Sequence, residues 1–150
     1  MPKVIANSSC LIALVNIQML SILKDLYGRI YITREVFEEF GKDIQDWIEI
    51  REVKDRKYLQ VLNNLVDPGE ASTIALSLEI ENSLMILDDD KARKVARSLK
   101  LTYTGLLGVL LRAKQKNVIH SVRQVLDKLK AVGFRISKEI EAEVVRLAKE

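Results

Sequence analysis

The sequence predicts an α/β domain in which a central parallel sheet of about four or five strands lies between two layers of helices, a three-layer α/β/α arrangement. Short apolar runs alternate along the 150 residues with longer segments that begin with helix-capping residues. The apolar runs are continuous, which is typical of parallel strands that are buried on both faces. We expect residues 1–150 to form one domain.

Each predicted element has a local signal in the sequence. Capping residues at 7–9 begin the first helix, and Thr33 begins the second, which ends before Gly41. The alternation of apolar and polar residues at 47–53 indicates an edge strand. The predicted strands cover residues 3–6, 29–32, 47–53, 84–87 and 101–104, and the predicted helices end near residues 26, 40, 65, 81, 99, 116, 131 and 149.

The most informative segment is the run of three carboxylates at Asp88, Asp89 and Asp90. It follows the apolar run at 84–87, which predicts that the acids lie at the carboxyl end of a strand, where open α/β sheets bind ligands. Crowded carboxylates repel one another unless cations or protons compensate them. The competing interpretation is a solvated turn in which Asp90 caps the next helix.

Charge is distributed unevenly along the chain. Residues 1–90 hold 9 Lys/Arg and 16 Asp/Glu, a balance of −7, whereas residues 91–150 hold 15 and 5, a balance of +10. This asymmetry predicts either a basic surface for a phosphate backbone beside an acidic pocket, or lysine-rich helix faces that only confer solubility.

Composition also excludes several classes of site and of protein. The single cysteine, Cys10, excludes an internal disulfide and a cysteine-based zinc site, and the single histidine, His120, excludes a multi-histidine metal site. The apolar stretch at 10–23 is too short to span a bilayer, and its flanks do not resemble those of a signal peptide. We therefore expect a cytoplasmic protein without a membrane partner.

Four carboxylates are candidates for chemistry: Glu39, Glu70, Asp88 and Asp89. Glu70 also has a structural interpretation, because Asp67, Pro68 and Glu70 occupy the N-cap, N1 and N3 positions of a capping box. No nucleophile motif or phosphate-binding glycine loop competes. Hard oxygen ligands of this kind suit Mg²⁺ or Mn²⁺.

The order of four motifs resembles that of PIN-domain proteins, specifically their VapC-like branch of mostly uncharacterised prokaryotic members. These motifs are VIANSSCLIAL at 4–14, ITREVFEEF at 32–40, DPGEA at 67–71 and LDDDKAR at 87–93. The segment TGLLGVL at 104–110 also matches that branch, so the resemblance extends from residue 3 to about 136.

The resemblance implies a small α/β/α nuclease that holds Mg²⁺ or Mn²⁺ and cleaves RNA. It places the family's acidic positions at Asn7, Glu39, Glu70 and Asp89, with Asp88 adjacent. It further implies catalytic roles for Glu39, Glu70 and Asp89, and a homodimer with an antitoxin protein as partner. The flanking residues Ser9 and Arg93 are expected to orient a ligand and to approach a phosphate or pair with the carboxylates.

The sequence departs from the family pattern at Asn7, where active PIN nucleases normally carry Asp. An amide oxygen can coordinate Mg²⁺, but it brings no charge and cannot act as a base. Two functions therefore stay open: a metal-dependent ribonuclease, as in a toxin–antitoxin pair, and a catalytically weakened PIN-like module that binds RNA or a protein. A receiver-like phosphate-binding domain ranks last, because the acids come late in the chain.

Overall fold

A computed structural model describes residues 1–150 and shows five strands and nine helices. The strands are parallel, in the order β3-β2-β1-β4-β5. They are β1 (Lys3–Ala6), β2 (Ile30–Thr33), β3 (Ile48–Arg51), β4 (Ser83–Ile86) and β5 (Tyr103–Thr104). The predicted fold class is confirmed, and every predicted strand is present, with ends that differ by one or two residues.

The helices begin and end close to the predicted capping residues. They are α1 (Ser8–Asn16), α2 (Ser21–Tyr27), α3 (Arg34–Phe40), α4 (Arg56–Asn63), α5 (Pro68–Glu79), α6 (Asp90–Ser98), α7 (Leu106–Gln115), α8 (Val122–Ala131) and α9 (Lys138–Leu147). Thr33 caps α3 through its hydroxyl, and Gly41 ends that helix in the left-handed conformation, as predicted.

Two local predictions are wrong. The single helix predicted to reach Leu26 is divided into α1 and α2, which are bent by 119° at a break where Gln18 has a φ of 59°. The cap of α6 is Asp89 and not Asp90, because the Asp89 carboxylate accepts the backbone N–H of Ala92 at 2.9 Å. No single helix is long and apolar enough to cross a membrane, although α1 and α2 together pass that test of length and composition as a bent pair.

Two hydrophobic cores lie on opposite faces of the sheet. Side chains alternate along a strand; Val4 and Ala6 accordingly belong to the core with α1, α2, α3, α7, α8 and α9. Ile5 belongs to the other core, with α4, α5 and α6. Helices that carry acidic candidates therefore come from both layers and meet only at the end of the sheet.

The position of that meeting point follows from the strand order. β1 pairs with β4 in parallel, with Ala6 opposite Ile86. From β1 the chain continues to β2 on one side, and from β4 it continues to β5 on the other. The reversal between β1 and β4 is a topological switch point, which opens a crevice at the carboxyl ends of these strands.

Candidate functional site

Asn7 is the first polar residue after β1 and is fully packed, with 2% of its surface exposed. Its side-chain oxygen accepts the backbone N–H of Cys10 at 3.1 Å and so caps α1. Its backbone N–H donates to the carbonyl of Ile86 at 3.3 Å, which ties the end of β1 to β4. Asn7 therefore lies at the shared end of β1 and β4.

Glu39 reaches the crevice from α3. The hydroxyl of Ser8 donates to Glu39 Oε1 at 2.9 Å, across from the start of α1. On the other side the Glu39 carboxylate rests against Gly69 so closely that a Cβ atom added to Gly69 would lie 2.1 Å from Oε1. The absence of a side chain at Gly69 therefore lets Glu39 approach the first turn of α5, where Glu70 lies.

Glu70 is half-buried beside three other carboxylates. Burial raises its pKa, and the negative charges of Glu39, Asp67 and Asp89 raise it further, against a hydrogen bond from its own backbone that lowers it. We call Glu39, Asp67, Glu70 and Asp89 the acidic cluster. Glu39 and Asp89, two of the three predicted catalytic carboxylates, therefore lie within electrostatic range of the third, Glu70, and so does Asp67.

Buried hydroxyl groups hold α3 and α5 against each other beneath the acidic cluster. Thr33 Oγ1 both caps α3 and lies 2.6 Å from the hydroxyl of Ser72 on α5. Ser72 and Thr73 donate to the carbonyl of Gly69 at 2.9 and 2.8 Å. All three side chains are fully buried, so the helices that carry Glu39 and Glu70 are fixed by satisfied polar contacts.

Asp88 belongs to a different arrangement from its neighbour Asp89. Both of its oxygens accept the backbone N–H of Leu106 at 3.2 Å, at the start of α7, and Arg93 lies 3.5 Å from Oδ1. Burial raises the pKa of Asp88, while Leu106 and Arg93 lower it. Arg93 also donates to the carbonyl of Leu87 at 2.6 Å. Asp88 and Arg93 therefore pair with each other, as expected of Arg93.

Sequence reasoning missed two residues of the site and misplaced one role. Ser8, which was not predicted, donates to Glu39, whereas Ser9, expected to orient a ligand, is exposed without a side-chain hydrogen bond. Asp67 was assigned to a capping box, but its side chain makes no capping bond. No local signal marks Ser8; the electrostatic role of Asp67 follows from contact with α3 and α6, which lie far away in sequence.

The oxygen atoms of the acidic cluster are of the type that binds a hard divalent cation. The acidic cluster supplies only carboxylate oxygens, and a cation would relieve the repulsion that raises the pKa of Glu70. In the observed arrangement of side chains, no three Asp, Glu, His or Cys residues are grouped so as to ligate one ion.

The chain is thus an α/β protein with a parallel five-stranded sheet between helical layers and an acidic cluster at its switch point. The family model of DUF3368, a PIN domain, matches residues 3–150. The chain therefore belongs to the PIN-domain family. This family has a nuclease-type fold, generally uses divalent metal ions, and often acts with RNA and antitoxin partners.

Proposed function

We propose that this protein is a metal-dependent endoribonuclease whose working centre is the acidic cluster. The observation that carries the proposal is that Glu39 from α3 and Asp89 from the start of α6 lie within electrostatic range of Glu70 on α5, whose pKa is raised by burial and further by these like charges. No cation is among the groups that shift the pKa of Glu70, and like-charged carboxylates without a cation at a switch point favour a functional role.

The residues have distinct roles in this proposal. Glu39, Glu70 and Asp89, supported by Asp67, would hold Mg²⁺ or Mn²⁺, which when bound supplies an activated water and stabilises charge on the attacked phosphate. Ser8 orients Glu39 through its hydrogen bond. Asn7 uses one lone pair of its oxygen to cap α1, and the second lone pair remains for a ligand.

Two further predicted residues, Asp88 and Arg93, act beside the cluster rather than within it. Asp88 holds the start of α7 and pairs with Arg93. Arg93, 29% exposed, still presents part of its guanidinium to solvent next to the carboxyl end of β4, within reach of a phosphate. Arg93 is thus the phosphate-binding residue of the proposal, whereas the metal-binding role expected of the adjacent Asp88 stays a prediction, because its oxygens are engaged by Leu106 and Arg93.

The test is a cleavage assay on single-stranded RNA of mixed sequence with Mn²⁺, using Asp89→Asn. Asn caps helices as well as Asp does, so this variant keeps the start of α6 while removing one charge from the cluster. We expect wild-type cleavage that needs the divalent ion and is lost in Asp89→Asn. Asp46→Asn, which removes the same charge from an exposed carboxylate before β3, is the matched control and should cleave normally. Equal cleavage by wild type and Asp89→Asn would refute the proposal.

Asn7 favours a second candidate, a catalytically weakened PIN-like module that binds RNA or a protein partner. Asn7→Asp separates the two, since Asp retains the cap on α1 and adds an anionic ligand. For a weakened nuclease, the variant should bind Mn²⁺ more tightly and cleave faster than wild type. Thermal melts with and without Mn²⁺ that show no metal response in either protein would favour the binding module.

RNA as substrate, an antitoxin protein and a homodimer belong to the same proposal, on the strength of family membership. The chain has a mass of 17.1 kDa. Light scattering on the purified protein should give twice that mass. A mass of one chain at micromolar concentration would remove the homodimer without affecting the nuclease proposal.

A further inference from the structure

Helix α6 carries a row of cations that begins next to the acidic cluster. Lys91, Lys94 and Arg97 recur every third residue, Lys100 continues this spacing just past the end of the helix, and all four are exposed. Residues three apart form one of the ridges on a helix surface, so the helical side chains follow a single inclined line. From Lys91 to Arg97 this line covers about 9 Å along the helix axis. We call these four residues the α6 row.

The α6 row is uncompensated, unlike several cations of the last helices. None of its members forms a salt bridge, and the only carboxylate within α6 is Asp90 in the first turn. In contrast, Lys130 lies 2.7 Å from Glu141, and Arg146 pairs with Glu143. Part of the +10 balance of residues 91–150 is thus neutralised locally on α8 and α9, whereas the α6 row keeps its charge.

The start of the row and the acidic cluster share one opening. A polar cavity of about 430 Å³ separates the α4–α5 connection from the first turn of α6, and its lining includes Asp67, Asp89 and Lys91. A ligand that follows the row toward the amino end of α6 therefore arrives at two members of the acidic cluster. A row of positive charge suits a chain of phosphates, and a divalent cation bound by the acidic cluster would continue that charge to the end of the path.

We infer that the α6 row is the binding track for the backbone of single-stranded RNA, and that it leads the strand into the cavity beside Asp67 and Asp89. This inference rests on the proposed nuclease function and specifies where its substrate lies. One helix presents one line of cations, which fits one phosphate backbone. The contacts are to phosphates, so binding depends on salt and not on base sequence.

The test uses the variant Lys91→Gln/Lys94→Gln/Lys100→Gln, because Gln keeps a similar helix propensity. Arg97 stays in place because it donates to the hydroxyl of Tyr103 at 2.7 Å. Binding of labelled mixed-sequence single-stranded RNA is measured by fluorescence anisotropy in EDTA, over a range of salt concentrations. We expect affinity at low salt to fall at least about tenfold and the slope of log affinity against log salt to become shallower by about 2.

The matched control is Lys128→Gln/Lys138→Gln/Lys149→Gln, which removes the same charge from exposed lysines of the last helices that form no salt bridge. It should leave affinity and slope unchanged within about twofold. Replacement of the three α6 lysines by Arg should retain binding. An equal loss in the control triple, or no loss in the α6 triple, would overturn the track.

Two further measurements are needed. The first distinguishes a binding track for RNA from a docking site for an acidic protein, and the second tells whether the track hypothesis or the nuclease hypothesis is wrong. Polyglutamate of matched charge is the acidic-protein probe; binding as tight as that of RNA, with the same loss in the α6 triple, would overturn the assignment to nucleic acid. Cleavage is measured separately in Mn²⁺. Row-dependent binding without any cleavage would support the track and refute the nuclease, whereas metal-dependent cleavage that the α6 triple leaves intact would refute only the track.

Discussion

Glu70 and Glu150 carry the same side chain in opposite surroundings. Glu70 lies among Glu39, Asp67 and Asp89, and burial and their charges raise its pKa. The Glu150 carboxylate receives donors from Lys114, Ser121 and two backbone N–H groups at the start of α8. Although burial raises its pKa, these hydrogen bonds lower it to about 2.

Glu150 therefore stabilises the fold, whereas Glu70 does not. Glu150 is satisfied by the chain itself, as expected of a structural group. No cation is among the groups that shift the pKa of Glu70, as expected if this carboxylate belongs to the proposed metal site. Asp88 lies between these extremes, since burial raises its pKa while Leu106 and Arg93 act in the opposite direction.

The largest effect is expected from Gly69→Ala, which would separate function from stability in the acidic cluster. The new Cβ would lie 2.1 Å from Glu39 Oε1 and would displace that carboxylate. Alanine has a better helix propensity than glycine, so α5 should not lose stability. We expect Mn²⁺-dependent cleavage to fall at least about 100-fold, since a misplacement of about 1 Å has this effect, while the metal-free melting temperature stays equal or rises.

Gly108→Ala provides a comparison at a second helical glycine. Gly108 lies on α7 and not in the acidic cluster. A Cβ atom at this position would lie 2.2 Å from Thr104 Oγ1. Its cost should appear in the melting temperature, whereas the Mn²⁺ response of the folded protein should match that of wild type. Full cleavage activity in Gly69→Ala would show that Glu39 need not occupy its observed position.

How far the sequence predicts this arrangement depends on how local each signal is. The apolar runs at 3–6 and 84–87 and the acids after the second run are local, so the shared end of β1 and β4 could be predicted. The break between α1 and α2 could not, because neither Gly nor Pro occurs near Gln18 and apolar residues continue across the break.

The details of the acidic cluster depend on contacts between distant segments. Asp67 and Glu70 match a capping box in sequence, yet the Asp67 side chain makes no capping bond, and both carboxylates contribute to the cluster. The role of Gly69 requires Glu39, which lies 30 residues earlier. The contacts of Glu150 with the start of α8 likewise follow from packing between α7, α8 and α9.

An intermediate effect is expected from Glu150→Ala, which removes the carboxylate that is fully hydrogen-bonded within the chain. The variant loses a cap on α8 and the pair with Lys114 at 3.0 Å, a cost of about 1–2 kcal/mol. The melting temperature at pH 7 should therefore fall by about 3–6 °C, without change in the Mn²⁺ response.

The pH dependence of that effect has a definite sign. A carboxylate whose pKa is lowered by folding contributes stability above its unfolded value of about 4.3. This contribution is lost as the pH falls toward the folded value of about 2. Melts of wild type and Glu150→Ala should converge over that range, and a constant difference down to pH 2 would contradict the assignment.

The smallest effect is expected from Glu70→Gln, which removes the carboxylate that lies among like charges. A carboxyl whose pKa is raised by folding destabilises the native state once it ionises, so the contribution of Glu70 to wild-type stability should decline as the pH rises above about 4.3. Glu70→Gln removes this decline. Because Glu70 is only half-buried, solvent screening limits the gain in metal-free melting temperature at pH 7 to about 2 °C.

When Mn²⁺ is added, the melting temperature of wild type should become higher than that of Glu70→Gln. Wild type gains stability from an ion that binds only the folded state, whereas Glu70→Gln loses an anionic ligand and gains less. Exposed Glu81→Gln is the matched control and should change neither curve. If Glu70→Gln lowers the metal-free melting temperature, Glu70 stabilises α5 as a simple first-turn carboxylate, and the contrast with Glu150 is one of degree rather than of kind.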